Sequence, residues 1–109
     1  NTRLVSEADA PKSWKDTLDS KWKDKLAIGH PGFSGAIGLW ALEMRRLYGA
    51  NFLRDFEKNK PQIGRSSIDP VTAMNAGERA VGVAVPSSST LFSMSRGNPL
   101  KLIRPPCPC

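Results

Sequence analysis

The chain has 109 residues, with 16 Lys and Arg against 10 Asp and Glu, a formal net charge of +6 and a hydrophobic fraction of 39%. This length predicts one small domain, and the composition excludes a disordered or fibrous chain. No apolar run approaches the roughly 20 residues of a membrane-spanning helix, and no signal peptide is recognisable. Because the first residue is Asn1 and not methionine, we expect a processed protein or a segment of a longer one.

The first half of the chain predicts short helical turns, a strand and two helices. Residues 11–24 place three apolar side chains at a spacing of four, which favours short helical turns. The apolar run 25–29 predicts a buried strand. An amphipathic pattern then predicts a helix from Ser34 to just before Gly49, and residues 51–59 predict a second helix that Pro61 stops.

The second half continues the alternation of strands and helices. Residues 62–64 favour a short strand, and a helix of roughly ten residues is predicted to end at Gly77. The apolar run 79–85 predicts a strand covered on both sides, and a short helix after Pro86 leads to a final strand at 100–103. This order predicts an α/β fold: a single three-layer lobe with a mostly parallel sheet and right-handed crossovers.

The carboxyl ends of parallel strands share one edge of a sheet, where ligands bind in such folds. The loop after the first strand leads into Ser34, Gly35 and Ala36, whose small side chains expose the backbone N–H groups and positive dipole of a helix N-terminus. This arrangement is suited to an oxyanion or carboxylate. An ordinary serine cap of the helix is the alternative interpretation.

Two further loops are expected at the same edge. Arg65 and Ser66 follow the second predicted strand, and the Arg65 guanidinium could pair with an anion or be solvated. Ser87 and Ser88 follow the third predicted strand and offer hydroxyl donors, or form a polar loop and helix cap. We therefore predict a ligand site made of Ser34, Gly35, Ala36, Arg65, Ser66, Ser87 and Ser88.

Two other classes of function are left open by the residues. Lysines alternate with Trp14 and Trp22 in residues 12–25, a pattern found in small basic modules that bind single-stranded nucleic acid, although interleaved aspartates reduce the local charge. A small serine hydrolase using Ser34 is the second alternative. Sequence motifs of hydrolases, metalloproteases and nucleotide-binding loops are absent, so we expect no enzyme, no cofactor and no metal site. The pair Cys107 and Cys109 is interpreted as a feature of the tail.

Several segments resemble one family over nearly the whole chain. The most specific is APKSWKDTLDSKWKDKLAIGHPGFSG at 10–35, with NTRLV at 1–5, WALEMRRLYG at 40–49, KNKPQIGRS at 58–66, NAGERAVGVA at 75–84 and RGNPLKLI at 96–103. They are similar to bacterial extracellular solute-binding proteins of ABC importers, in the iron or ferric-type branch. The resemblance implies a type II periplasmic binding protein, in which a solute is clamped between two lobes.

The resemblance implies that residues 1–103 are the second lobe of a larger protein and that 104–109 are an atypical Pro/Cys tail. It further implies a monomeric, non-catalytic periplasmic receptor that docks on an ABC permease and meets the membrane only through it, with no nucleic acid bound. Ferric members carry adjacent tyrosines in the loop that here reads Pro86-Ser87-Ser88, and Tyr48 is the only tyrosine of this chain. We therefore expect a small anionic solute, or a ferric-anion complex, and not direct Fe(III) ligation by a tyrosine pair.

Overall fold

The computed structural model describes residues 1–6, 8–30, 32, 35–66 and 68–104. Within these residues, three strands and four α-helices follow two short 3₁₀ turns. The turns span Lys15–Leu18 and Ser20–Trp22; the strands are β1 (Leu26–Gly29), β2 (Gln62–Gly64) and β3 (Val81–Gly82); the helices are α1 (Gly35–Tyr48), α2 (Asn51–Glu57), α3 (Asp69–Asn75) and α4 (Ser87–Ser95). The α/β prediction is confirmed.

All three strands are parallel and lie in the order β2-β1-β3. Gly29 of β1 is level with Gly64 of β2, and Ala27 is level with Gly82 of β3. β1 is therefore the central strand, and all four of its residues are buried. Because the strands run the same way, the chain leaves each of them at the same edge of the sheet.

Helices cover both faces of the sheet. Leu26 and Ile28 of β1 belong to a core that includes Trp40 from α1 and Phe52 from α2. Alternate side chains of a strand point to opposite faces, so Ala27 lies on the other face, which α3 contacts. A second, smaller core of Val71, Met74 and Leu100 lies there. This is the three-layer arrangement predicted from the sequence.

An aromatic cluster fills the larger core and explains the helical turns before β1. The ring of Trp40 lies 5.8 Å from Trp14, 6.1 Å from Phe52 and 5.6 Å from Phe56, each in an edge-to-face arrangement. The buried amide of Asn59 fixes the turns against α2, because its Nδ2 donates to the carbonyl oxygens of residue 17 (2.7 Å) and residue 19 (3.0 Å).

Three sequence predictions for the second half are wrong: one strand and one helix are shorter than predicted, and one strand is not formed. The strand predicted at 79–85 is only two residues long, because Ala84 has a left-handed φ of +55° that ends the extended backbone. The final strand predicted at 100–103 is not formed; Leu100 is instead buried in the smaller core. Helix α3 has seven residues and is shorter than predicted, because it starts only at Asp69.

None of the helices in the described part of the chain is long and apolar enough to cross a membrane.

Candidate functional site

The three loops predicted to meet at one edge do follow the carboxyl ends of the three strands. His30 follows β1, Arg65 follows β2 and Val83 follows β3. The register makes the ends of β1 and β2 level, whereas β3 ends at Gly82, which is level with Ala27 of β1. The loops into α1 and α4 therefore start from adjacent strands.

The N-terminus of α1 is open to solvent at this edge. Gly35 and Ala36 are both exposed, and a Cβ added to Gly35 would meet no atom of the described residues within 4 Å. No acidic residue lies in the first turn of this 14-residue helix, all of which is described. The positive end of the helix dipole is therefore not offset locally. Ser34, the predicted hydroxyl donor, lies outside the described residues.

The N-terminus of α4 has the same properties. Pro86 precedes this nine-residue helix and has no side chain that could cap it, and no acidic residue lies in the first turn. Ser88 is exposed and Ser87 is half-buried. The N–H group of Thr90 donates to the Pro86 carbonyl oxygen (3.1 Å), which leaves the preceding N–H groups of the first turn directed out of the helix.

The turn after β2 is closed by an acidic side chain that the sequence analysis missed. The Asp69 carboxylate accepts hydrogen bonds from the backbone N–H groups of Arg65 (2.7 Å) and Ser66 (3.3 Å), and the Ser66 hydroxyl donates to its other oxygen (3.2 Å). These donors, with the Arg65 charge, hold the pKa of Asp69 below its usual range. The spacing Ser66-x-x-Asp69 is the sequence signal that could have revealed this turn.

The Asp69 carboxylate changes what the predicted site can do. The N–H groups of Arg65 and Ser66 are occupied by an anion of the protein itself, so they are not available to a solute. The Arg65 side chain is exposed and is not used in this turn except through its charge on Asp69. The predicted residues therefore separate into two open helix N-termini, at Gly35-Ala36 and Ser87-Ser88, and the exposed Arg65 side chain at the end of β2.

Tyr48 is remote from this edge. It ends α1, and 14 residues at a rise of about 1.5 Å place it roughly 20 Å from the first turn. Its ring stacks on Phe52 at 5.2 Å. No group of three potential metal ligands of the His, Cys, Asp or Glu type occurs among the described residues.

The lysine-rich segment does not present its tryptophan rings for base stacking. Trp22 is 3% exposed and lies in the larger core, and the half-buried Trp14 packs on Trp40. The Lys21 ammonium lies 5.1 Å from the centre of the Trp22 ring. The aromatic spacing in this segment therefore serves packing, and the nucleic-acid alternative gains no support from it.

Comparison of the chain with known proteins gives one family match. A family model described as a bacterial extracellular solute-binding protein matches residues 1–106, which is nearly the whole chain. No curated protein matches the chain.

Proposed function

Because this chain belongs to the family of bacterial extracellular solute-binding proteins, we propose that it forms one lobe of an ABC-importer receptor that captures a small anionic solute without altering it. The two open helix N-termini, at the ends of adjacent strands and with no acidic residue in either described first turn, are the observation that carries this proposal. The free N–H groups and the dipoles of both helices then stabilise a negatively charged solute at this edge of the sheet.

Backbone N–H groups, serine hydroxyls and one guanidinium contribute different contacts to the solute. Gly35 and Ala36 donate from the backbone, and Gly35 lets the solute approach closely because it has no side chain. Ser87 and Ser88 add N–H groups and hydroxyls at the second helix. Arg65 approaches from the β2 side as a charge partner.

In the intact receptor, a second lobe completes the binding site. One lobe supplies half of the contacts, so the solute is enclosed only when a second lobe closes over this edge. The receptor then works outside the cytoplasm and delivers the solute to a permease. Serine hydroxyls in the loop after β3, in place of tyrosines, favour an oxoanion or carboxylate over a bare Fe(III) ion.

Binding of a probe oxyanion to the 109-residue chain tests the proposal. Sulfate is titrated in low-salt buffer and followed by calorimetry or NMR, and we expect weak, saturable binding with a dissociation constant on the order of millimolar, because only half of a cleft is present. Gly35→Asp and Ser88→Asp should each weaken it about tenfold, because a carboxylate at a helix N-terminus repels an anion while stabilising the helix.

Ser95→Asp is the matched control, since it adds the same charge at the other end of α4. It should leave sulfate binding within about twofold, because the dipole effect is confined to the terminal turn. Equal loss in Ser88→Asp and Ser95→Asp would mean that sulfate responds only to net charge, and the proposed site would then be wrong.

A further inference from the structure

The chain leaves β3 through a residue whose backbone is in an unfavourable conformation. Ala84 has a φ of +55°, in the left-handed region, where the Cβ of an L-residue comes too close to the following carbonyl oxygen. Glycine has no Cβ and adopts this region freely, but the chain has alanine here. Such a residue stays left-handed only where its surroundings fix it.

The packing around β3 shows what the left-handed residue does. Val81 and Val83 contact the larger core, and the intervening Gly82 faces the smaller one, as alternation along a strand requires. Ala84 breaks this alternation, because it also packs against the larger core. Val85 then packs against the smaller core, and one of its methyl carbons would lie 2.8 Å from a Cβ added at Gly82. The chain therefore passes from one face of the sheet to the other directly after Ala84.

This passage between the faces leads straight into the N-terminus of α4. Pro86 follows Val85, and the helix begins at Ser87. The last turn of α4 has its own attachment to α3, because the Ser93 hydroxyl donates to Oδ1 of Asn75 (3.1 Å) and accepts from Nδ2 (3.0 Å). The exposed first turn has no such side-chain bond to α3 within the described residues, so its position depends on the residues that precede it.

We propose that Ala84 is a positioning residue of the solute site. Its methyl group, packed against the larger core, fixes the left-handed turn, and the turn places the N–H groups of Ser87 and Ser88 at the edge of the sheet where the solute binds. This role rests on the proposed function, because it concerns the same N-terminus of α4. Glycine would permit the turn at no steric cost, but without the methyl group it would not hold the turn in place.

Ala84→Gly tests this role, since it relieves the backbone and removes the methyl group. Sulfate binding to the 109-residue chain, measured by calorimetry, should weaken about three- to fivefold, because the α4 half of the site is no longer preorganised. In ¹⁵N relaxation, the order parameters of the Ser87 and Ser88 amides should fall from about 0.85 to below about 0.6, while those at the start of α1 stay unchanged. Ala84→Ser keeps the Cβ and should retain both the sulfate binding and the rigid amides.

Asp24→Gly and Lys60→Gly are the matched controls. Both residues are left-handed, with φ of +63° and +50°, and both are exposed and precede β1 and β2 at the opposite end of the sheet. Glycine should therefore relieve the backbone there without loss of packing and raise the midpoint of thermal unfolding by roughly 4–8 °C. Sulfate binding should stay within about twofold in both variants, although they change the net charge in opposite directions.

Three outcomes decide between these expectations. If Ala84→Gly behaves like the two controls, with a higher midpoint, unchanged sulfate binding and rigid Ser87 and Ser88 amides, the positioning role is wrong. Equal loss of sulfate binding in Ala84→Ser would also overturn it, because that variant keeps the Cβ. If the unmutated chain does not bind sulfate, the proposed function fails, and the order parameters alone then decide whether Ala84 fixes the first turn of α4.

Discussion

Replacing Gly64 by alanine should destabilise the chain at the turn that shapes the β2 end of the site. An added Cβ would overlap the Cβ of Asp69 and lie 2.7 Å from its Oδ2. The Asp69 side chain has little freedom to yield, because two backbone N–H groups hold its carboxylate and the next residue, Pro70, is buried in α3. Overpacking of this kind costs about 1–3 kcal/mol.

That cost corresponds to a fall in the midpoint of thermal unfolding of roughly 4–20 °C for a domain of this size. Gly35→Ala is the matched control: its Cβ meets nothing within 4 Å, and alanine in a helix is favoured over glycine by up to about 1 kcal/mol. Thermal unfolding of the two variants, followed by circular dichroism, measures the difference between their midpoints. Equal midpoints for Gly64→Ala and Gly35→Ala would refute the close packing of Gly64 on Asp69.

Three further predictions concern stability. Asn59→Ala should cost about 1–3 kcal/mol in urea unfolding, because it leaves the buried Thr17 carbonyl oxygen without its donor and removes one of the two donors to the Asp19 carbonyl oxygen; a loss below about 0.5 kcal/mol would contradict this. Trp40→Ala should cost about 3–5 kcal/mol and remove cooperative melting in a small domain, whereas retention of the wild-type midpoint would contradict its central place in the aromatic cluster. The lowered pKa of Asp69 means that its stabilising effect is present above about pH 4 and is lost as the pH falls through that lowered pKa. In a plot of the free energy of unfolding against pH, Asp69→Asn should therefore reduce the slope at acid pH. Some slope remains because the pKa of Asp16 is also lowered. A plot that is unchanged by Asp69→Asn would contradict this prediction.

The elements with a strong local pattern could be predicted from the sequence. The apolar run before His30 gave β1, since a fully buried central strand needs apolar residues at every position. The spacing of Ile37, Trp40 and Met44 gave α1, and these three residues are buried in the core. Parallel order followed from the alternation of strands and helices.

The segments that went wrong depend on contacts that a local pattern does not contain. Residues 79–85 are apolar enough for a long strand, but the left-handed backbone at Ala84 ends the strand after the Val83 N–H has bonded to the Ala27 carbonyl oxygen (2.8 Å). Leu100 and its neighbours are equally apolar, yet Leu100 packs against the smaller core and the Pro99 carbonyl oxygen accepts from Thr2 (2.7 Å). Tertiary packing decides the second case.

The sequence could predict that three loops follow the carboxyl ends of the strands, because the strands are parallel; that these loops form a solute site stays a prediction. The role of Asp69 was missed, because it depends on backbone geometry that brings its carboxylate back to the N–H groups of Arg65 and Ser66, four and three residues earlier. Helices α1 and α4 have no such acidic residue in their described first turns.

Mapping sulfate onto the backbone amides by ¹H–¹⁵N NMR tests the central claim most directly. We predict saturable shifts centred on Gly35, Ala36, Ser87 and Ser88, with those of Arg65 and Ser66 smaller because Asp69 holds their N–H groups. Shifts spread over the lysines of residues 12–25, with none at the two helix N-termini, would contradict the proposal that this edge of the sheet captures an anionic solute.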